Sequence, residues 1–278
     1  MTKLIRPQPT YRIEDVPVYG TLEVSSSSQD RLTVPQAFEF ARKHDGRLQT
    51  IGEALAVRVA FYNDDKETKS GIDGSADYQR TSTISLKLKN NGSFTVDAPY
   101  VCAFVDLEDN KHGRALLHEG YDANCKGNNL LKSVKDGFIC DLIAQAKDTG
   151  RVASALAERP LKLATAQKGG KSAYGQHPNV IAVFGNTELT ELNAHYLSER
   201  GYKEGFFLDY TTPELEDELK GKEDNVIVRS VGLGGDNYGN VGSVGAVVVF
   251  NYYGRARGVV HVGAQKISSG RKGSKAFK

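Results

Sequence analysis

Apolar and polar positions divide the chain into short elements of two periods. Tyr19–Ser25 alternates as a strand does, and Ser25 to Ser28 then makes a turn. Thr33 stands where a helix N-cap should, with Pro35 inside the first turn and Gln36 at the capping-box position. Val34, Ala37, Phe38 and Ala41 follow at helical spacing, and Asp45-Gly46 ends that helix. Leu48 and Ile51 return to the core, and Gly52–Tyr62 reads as a second helix through Leu55, Val57, Val59 and Ala60. Asn63 to Asp77 is polar, as a loop is. Thr81–Lys89 then alternates as a strand, Asn90–Ser93 turns, and Phe94–Val96 and Tyr100–Val105 continue a meander. Leu130–Gln145 and Arg151–Arg159 are expected to be helical, and Gln167–Gly175 to be a loop. Val180–Phe184 is expected to be a short buried strand leading into a helix, Glu188–Arg200, which Gly201 stops. Phe206–Tyr210 is apolar, and Thr212-Pro213-Glu214 should start a helix running to Lys220. Val226–Val231 reads as a strand and Gly258–Val262 as the last one, with a Gly/Asn/Tyr/Val-rich stretch between them. No tandem repeat is visible.

Composition narrows the function classes. A chain of 278 residues, 39% hydrophobic and 25% charged, has the make-up of an ordinary globular protein and can bury one substantial core. A net charge of +2 favours neither nucleic acid nor an anionic membrane as a partner. The basic tail Lys266–Lys278 reads as a solvated end. Met1–Pro7 has no apolar stretch suited to a signal peptide or a membrane span, so the expected location is cytoplasmic or virion-associated, without membrane insertion. Cys102, Cys125 and Cys140 form no CxxC pair, which argues against a disulfide framework and a thiolate zinc site.

The order Thr33, Val34, Ala37, Ala41, Gly46, Leu48 and Ile51 resembles the first helix of the C-type lectin fold. Val34 takes the place of that family's aromatic residue and Ala41 the place of its cysteine. The resemblance implies an α+β, C-type-lectin-like fold in which N- and C-terminal strands meet. It would be a single domain over 1–278, with a core of about 15–62 and 200–268 and a large insertion of about 63–199. The calcium and sugar chemistry of true lectins is not implied. That chemistry rests on Glu-Pro-Asn or Gln-Pro-Asp and Trp-Asn-Asp triplets, and this chain has no tryptophan and none of the triplets.

Between Glu223 and Gln265 there is no Lys, Glu, Gln, Met or Trp, although Lys and Glu are abundant elsewhere. The residues that do occur all belong to the set encoded by codons ending in C or T. This resembles the variable region of proteins diversified by diversity-generating retroelements, in which template adenines are copied to random bases. The likeness is greatest to archaeal and archaeal-virus variable proteins, where stretches like Val231-Gly232-Leu233-Gly234 and Gly254–Val259 bracket the changing residues. It implies a hypervariable ligand-binding surface made by Gly235, Asp236, Asn237, Tyr238, Gly239, Asn240, Gly242, Ser243, Gly245, Val247, Val248, Val249, Asn251, Tyr252 and Tyr253. Val241, Val244, Ala246 and Phe250 would be framework, although Val247–Val249 reads equally well as a buried strand. The Tyr/Ser/Gly/Asn mixture is that of antibody paratopes, where tyrosines give rigid amphipathic area and small polar residues adapt. The implied partner is a protein or glycan on a cell or virus surface, with no cofactor and no catalysis.

Other chemistry is weaker in the sequence. Gly232-Leu233-Gly234-Gly235 follows a strand, but the third glycine of a dinucleotide fingerprint would fall at Asn237, and no helical run follows. His112, His118 and Glu119, near Asp106, Glu108 and Asp109, match neither a zinc-helix nor an EF-hand spacing. The cysteines have no neighbouring histidine in sequence to activate them, and formylglycine-generating oxidases need a reactive pair close to the C-terminus. The alternative reading is a small enzyme or nucleotide-binding protein with its site in the middle region, at Gln176–Arg200.

Overall fold

A computed structural model of the chain describes residues 3–5, 10–64, 78–88, 92–97, 101–105, 115–119, 138–153, 161–163, 171–209, 226–234, 242–247 and 255–262. It is an α+β structure. In chain order the elements are β1 (Lys3–Ile5), β2 (Thr10–Val16), β3 (Gly20–Ser25), α1 (Val34–Lys43), β4 (Arg47–Leu48), α2 (Ile51–Asp64), β5 (Gln79–Leu88), β6 (Gly92–Asp97), β7 (Val101–Val105), β8 (Ala115–Glu119), α3 (Phe138–Asp148), β9 (Val152–Ala153), β10 (Leu161–Lys162), α4 (Pro178–Phe184), α5 (Thr187–Glu199), β11 (Glu204–Asp209), β12 (Val226–Leu233), β13 (Gly242–Val247) and β14 (Gly258–Val262). They form a five-stranded sheet in the order β1-β2-β3-β14-β4, a seven-stranded sheet in the order β10-β11-β13-β12-β5-β6-β9, and the pair β7-β8. Every pairing is antiparallel except β11 with β13.

Local chemistry explains the first helix. The Thr33 hydroxyl accepts from the Gln36 amide at 3.5 Å while the Gln36 side-chain oxygen accepts from the Thr33 amide at 3.0 Å, a reciprocal capping box. Ala37, Phe38 and Ala41 turn inward against Leu48 and Ala256, and Gly46 closes the helix by donating to the Ala41 carbonyl.

Helix α2 is enclosed on all sides from Ile51 to Phe61, and apart from Glu53 and Arg58 the residues there are apolar or glycine. Ala56, Val57, Ala60 and Phe61 pack on Ile13, Leu22, Val24 and Val259 of the five-stranded sheet. Ile51, Ala54, Leu55 and Val59 face the larger cluster with Val180, Leu189, Val231 and Leu233. Its buried N-terminus is met by neighbouring side chains. Glu53 accepts from the Thr50 amide at 2.8 Å, the Thr83 hydroxyl accepts from the Ile51 amide at 2.8 Å, and Arg47 grips the Glu53 carboxylate at 2.8 and 2.5 Å.

Three expectations are corrected, the first being the meander: β6 has β5 and β9 as its neighbours, and β7 pairs with β8 instead. Val180–Phe184 is helical, not a strand: His177 caps it by accepting from the Asn179 amide at 3.3 Å, Pro178 opens its first turn, and Gly185 ends it in the left-handed conformation at φ 73°. Arg151–Arg159 does not begin as a helix. Gly150 at φ 68° terminates α3, and Val152 and Ala153 pair with Phe94 and Ser93 as β9. Of Leu130–Gln145, the described part from Phe138 is helical and continues to Asp148. The helix expected from Thr212 to Lys220 lies outside the described residues. Within the span read as an insertion, β5 pairs with β12 from Leu88–Val226 to Gln79–Leu233 and carries β6 on its other side. Among the described residues, no helix is long and apolar enough to cross a membrane.

Replacing Thr33 with Ala should cost about 1 kcal/mol of stability through loss of the cap. Leu55→Ala, at a fully buried position, should cost about 2–5 kcal/mol. Urea denaturation with an unchanged slope is the measurement, and comparable losses would contradict this division between cap and core.

Candidate functional site

The span expected to carry the binding surface leaves β12 and returns into β14. Of its expected display positions, Gly242, Ser243, Gly245 and Val247 lie on β13, an interior strand. Ser243 stands opposite Phe206, Gly245 opposite both Leu208 and Gly232, and Val247 opposite Ser230. The two-residue period of a strand separates Ser243, Gly245 and Val247 from Gly242, Val244 and Ala246. Gly235, Asp236, Asn237, Tyr238, Gly239, Asn240, Val248, Val249, Asn251, Tyr252 and Tyr253 lie outside the described residues, as do Val241 and Phe250 of the expected framework.

Both ends of the span are held through main-chain atoms. At the departure, the Arg58 guanidinium from α2, only 5% exposed, donates to the Gly234 carbonyl at 2.6 Å and to that of Leu233 at 3.2 Å. At the return, Arg255 is laced to the start of β5: its amide donates to the Tyr78 carbonyl and its carbonyl accepts from the Arg80 amide, both at 2.8 Å. The serine turn after β3 receives the next residues. Ala256 exchanges bonds with Ser28, accepting from its amide at 2.9 Å and donating to its hydroxyl at 3.0 Å, and the Gly258 amide donates to the Ser25 hydroxyl at 2.9 Å. Arg255 and Arg257 reach back to the same turn, Arg255 to the carbonyls of Ser28 and Gln29, Arg257 to that of Ser25 at 3.0 Å. Arg257 is 2% exposed and lies 4.7 Å from the Phe61 ring centroid.

Sequence reasoning took Ser25 to Ser28 as a plain turn and missed this receiving role. The signal was a run of hydroxyl side chains between a strand and a capped helix, where local side-chain to backbone bonding is favoured.

The middle region spends its polar groups internally. Glu191 accepts from Gln176 at 2.5 Å and from the Ser172 amide at 3.4 Å, Asn186 caps α5, Thr190 donates to the Gly175 carbonyl at 2.7 Å, and Asn193 donates to the Tyr174 hydroxyl at 2.7 Å. Asp106, Glu108, Asp109 and His112, set aside as a metal site on their spacing, lie outside the described residues, and among the described residues no group of three or more acidic, histidine or cysteine side chains is placed to hold a metal. The β7-β8 register sets Cys102 opposite His118, a cross-strand neighbour that spacing along the chain does not reveal. Compared with family models, curated proteins and solved structures, the chain matches none.

Burial pushes the phenols of Tyr19, Tyr78 and Tyr174 above their ordinary value, with Glu53 and Asp97 adding to the effect at Tyr19 and the Asn193 bond opposing it at Tyr174. A phenol whose folded pKa is raised adds stability in full below the unfolded value near ~10, and that stability is lost as pH climbs toward the folded value. Absorbance at 295 nm should therefore show fewer than the chain's 13 tyrosines ionising at about pH 11 in the native protein, against all of them in guanidinium. Thermal stability should fall above about pH 10. Full ionisation without unfolding would contradict the burial of these rings.

Proposed function

We propose that the chain is a ligand-binding display protein with a C-type-lectin-like core, whose surface between β12 and β14 is diversified by a retroelement. The observation that carries the reading is how the chain is held on either side of the expected display positions. Those positions lie inside the span lacking Lys, Glu, Gln, Met and Trp, and at Leu233-Gly234 before them and Arg255–Gly258 after them the fold grips main-chain atoms of the chain. Such fastening is indifferent to the side chains in between, which is what a changing surface needs.

The fold assignment is supported by the first helix with its capping box, by the second helix packed between two sheets, and by β14 pairing with β3, which joins the two ends of the chain. The insertion between 63 and 199 contributes β5 and β6 to the sheet that carries β12 and β13. The ligand is a protein or glycan on a cell or virus surface, engaged by rigid aromatic side chains of the Tyr238, Tyr252 and Tyr253 type and without calcium.

The flanking DNA provides the direct test. It should hold a reverse transcriptase and an adenine-rich near-copy of the segment encoding Arg229–Val259; absence of both overturns the diversification. A second test reads the protein. Replacing Tyr252 and Tyr253 together with Ala should change stability by less than about 1 kcal/mol, as surface substitutions do. Phe250→Ala should cost about 3–5 kcal/mol if that ring is framework. Equal losses in urea denaturation would erase the distinction between display and framework.

A further inference from the structure

We infer that Arg58 is a positioning residue for the proposed binding surface, fixing the point at which the chain leaves β12 whatever sequence follows. The inference rests on that proposed function for its purpose, but its physical content does not.

The ladder of β12 ends at Leu233, whose neighbours are Gln79 on one side and Val244 on the other. Gly234 is the first residue past that register, and its carbonyl receives the Arg58 guanidinium at 2.6 Å. The second donor goes to Leu233, so the planar fork holds two successive carbonyls and sets the direction of the chain as well as its position. The side chain is carried by α2, which packs against both sheets and has least room to move.

Stability alone is a poor reason for this choice. Burying a guanidinium is costly, and a hydrophobic residue of similar volume often serves a core as well or better. Arg58 instead sets a planar pair of donors on two successive main-chain oxygens from within a buried helix. At the far end the direction is reversed: Arg255 and Arg257, on the returning chain just past the expected display positions, donate to the Ser28 and Ser25 carbonyls of the serine turn.

Hydrogen exchange on the full-length chain, read by mass spectrometry without any ligand, tests this. In R58M, amides of residues 233–247 should exchange at least about tenfold faster, a loss of ~1.4 kcal/mol in local opening, while those of β2, β3 and α1 keep wild-type rates. R58K, which keeps the charge but lacks the planar fork, should fall between the two. Unchanged rates at 233–247 in R58M overturn the inference. A rise of equal size across every peptide also overturns it, because it marks a merely structural residue. If R58M does not fold, R58K against wild type carries the same comparison, and local against uniform acceleration decides. A chain whose flanking DNA lacks the retroelement but whose R58M exchange is locally accelerated loses the proposed function and keeps this positioning role; the reverse result does the opposite.

Discussion

Strand β14 must lie between β3 and β4, and most of the architecture follows from that constraint. Without it β3 would be a bare edge, and β4, two residues long, would have no sheet to join. With it, the turn after α1 is pressed so closely on the strand that a side chain at Gly46 would sit 2.8 Å from the Val259 carbonyl oxygen. The apolar face of α2 that carries Ala56, Val57, Ala60 and Phe61 then has a floor to pack on. The strand is short, and its pairing with β3 is interrupted between Val259 and His261. Much of its attachment therefore comes from the serine turn and the buried Arg257 just ahead of it, whose bonds reach main-chain atoms.

The remainder of the interior is joined by polar contacts between elements. Arg151 holds Asp97 at 2.5 Å and donates to the Ala182 and Val183 carbonyls, so one side chain ties the end of β6 to the last turn of α4. Asp97 also accepts from Thr83, and Thr83 in turn serves the first amide of α2. Helix starts and ends that would be expensive to bury unpaired are thus answered by neighbours from other elements. These links give the two sheets and α2 a fixed relation that apolar packing alone specifies less sharply.

How much of this was legible depended on the range of the interaction involved. Helix α1 and its boundaries were readable because a capping box, a proline and a stopping glycine all lie between Thr33 and Gly46. The last strand was readable for a similar reason, a short apolar run after Gly258. Val180–Phe184 misled because five residues, all apolar, carry no decisive period, and the His177-Pro178 start and Gly185 stop were the better evidence. Val152 and Ala153 misled because pairing with β6 outweighed local helical preference. The candidate site was visible chiefly as a restriction in the coding alphabet. Its anchors were hidden, since an arginine within a helix reads as solvent-facing until the fold brings the end of β12 beside it.

The close-packed glycines bear on heredity as well as on packing. A side chain at Gly258 would run into the Ala41 main chain at 3.1 Å, and one at Gly232 would meet the Tyr78 ring. Both positions lie inside the restricted stretch, where proposed miscopying acts on adenine. Glycine codons begin with two guanines, and those ending in C or T contain no adenine on the strand that spells them. A template that spells these residues as glycine therefore offers the copying enzyme nothing to change there. The genetic code itself would then shelter two glycines whose surroundings crowd any added side chain.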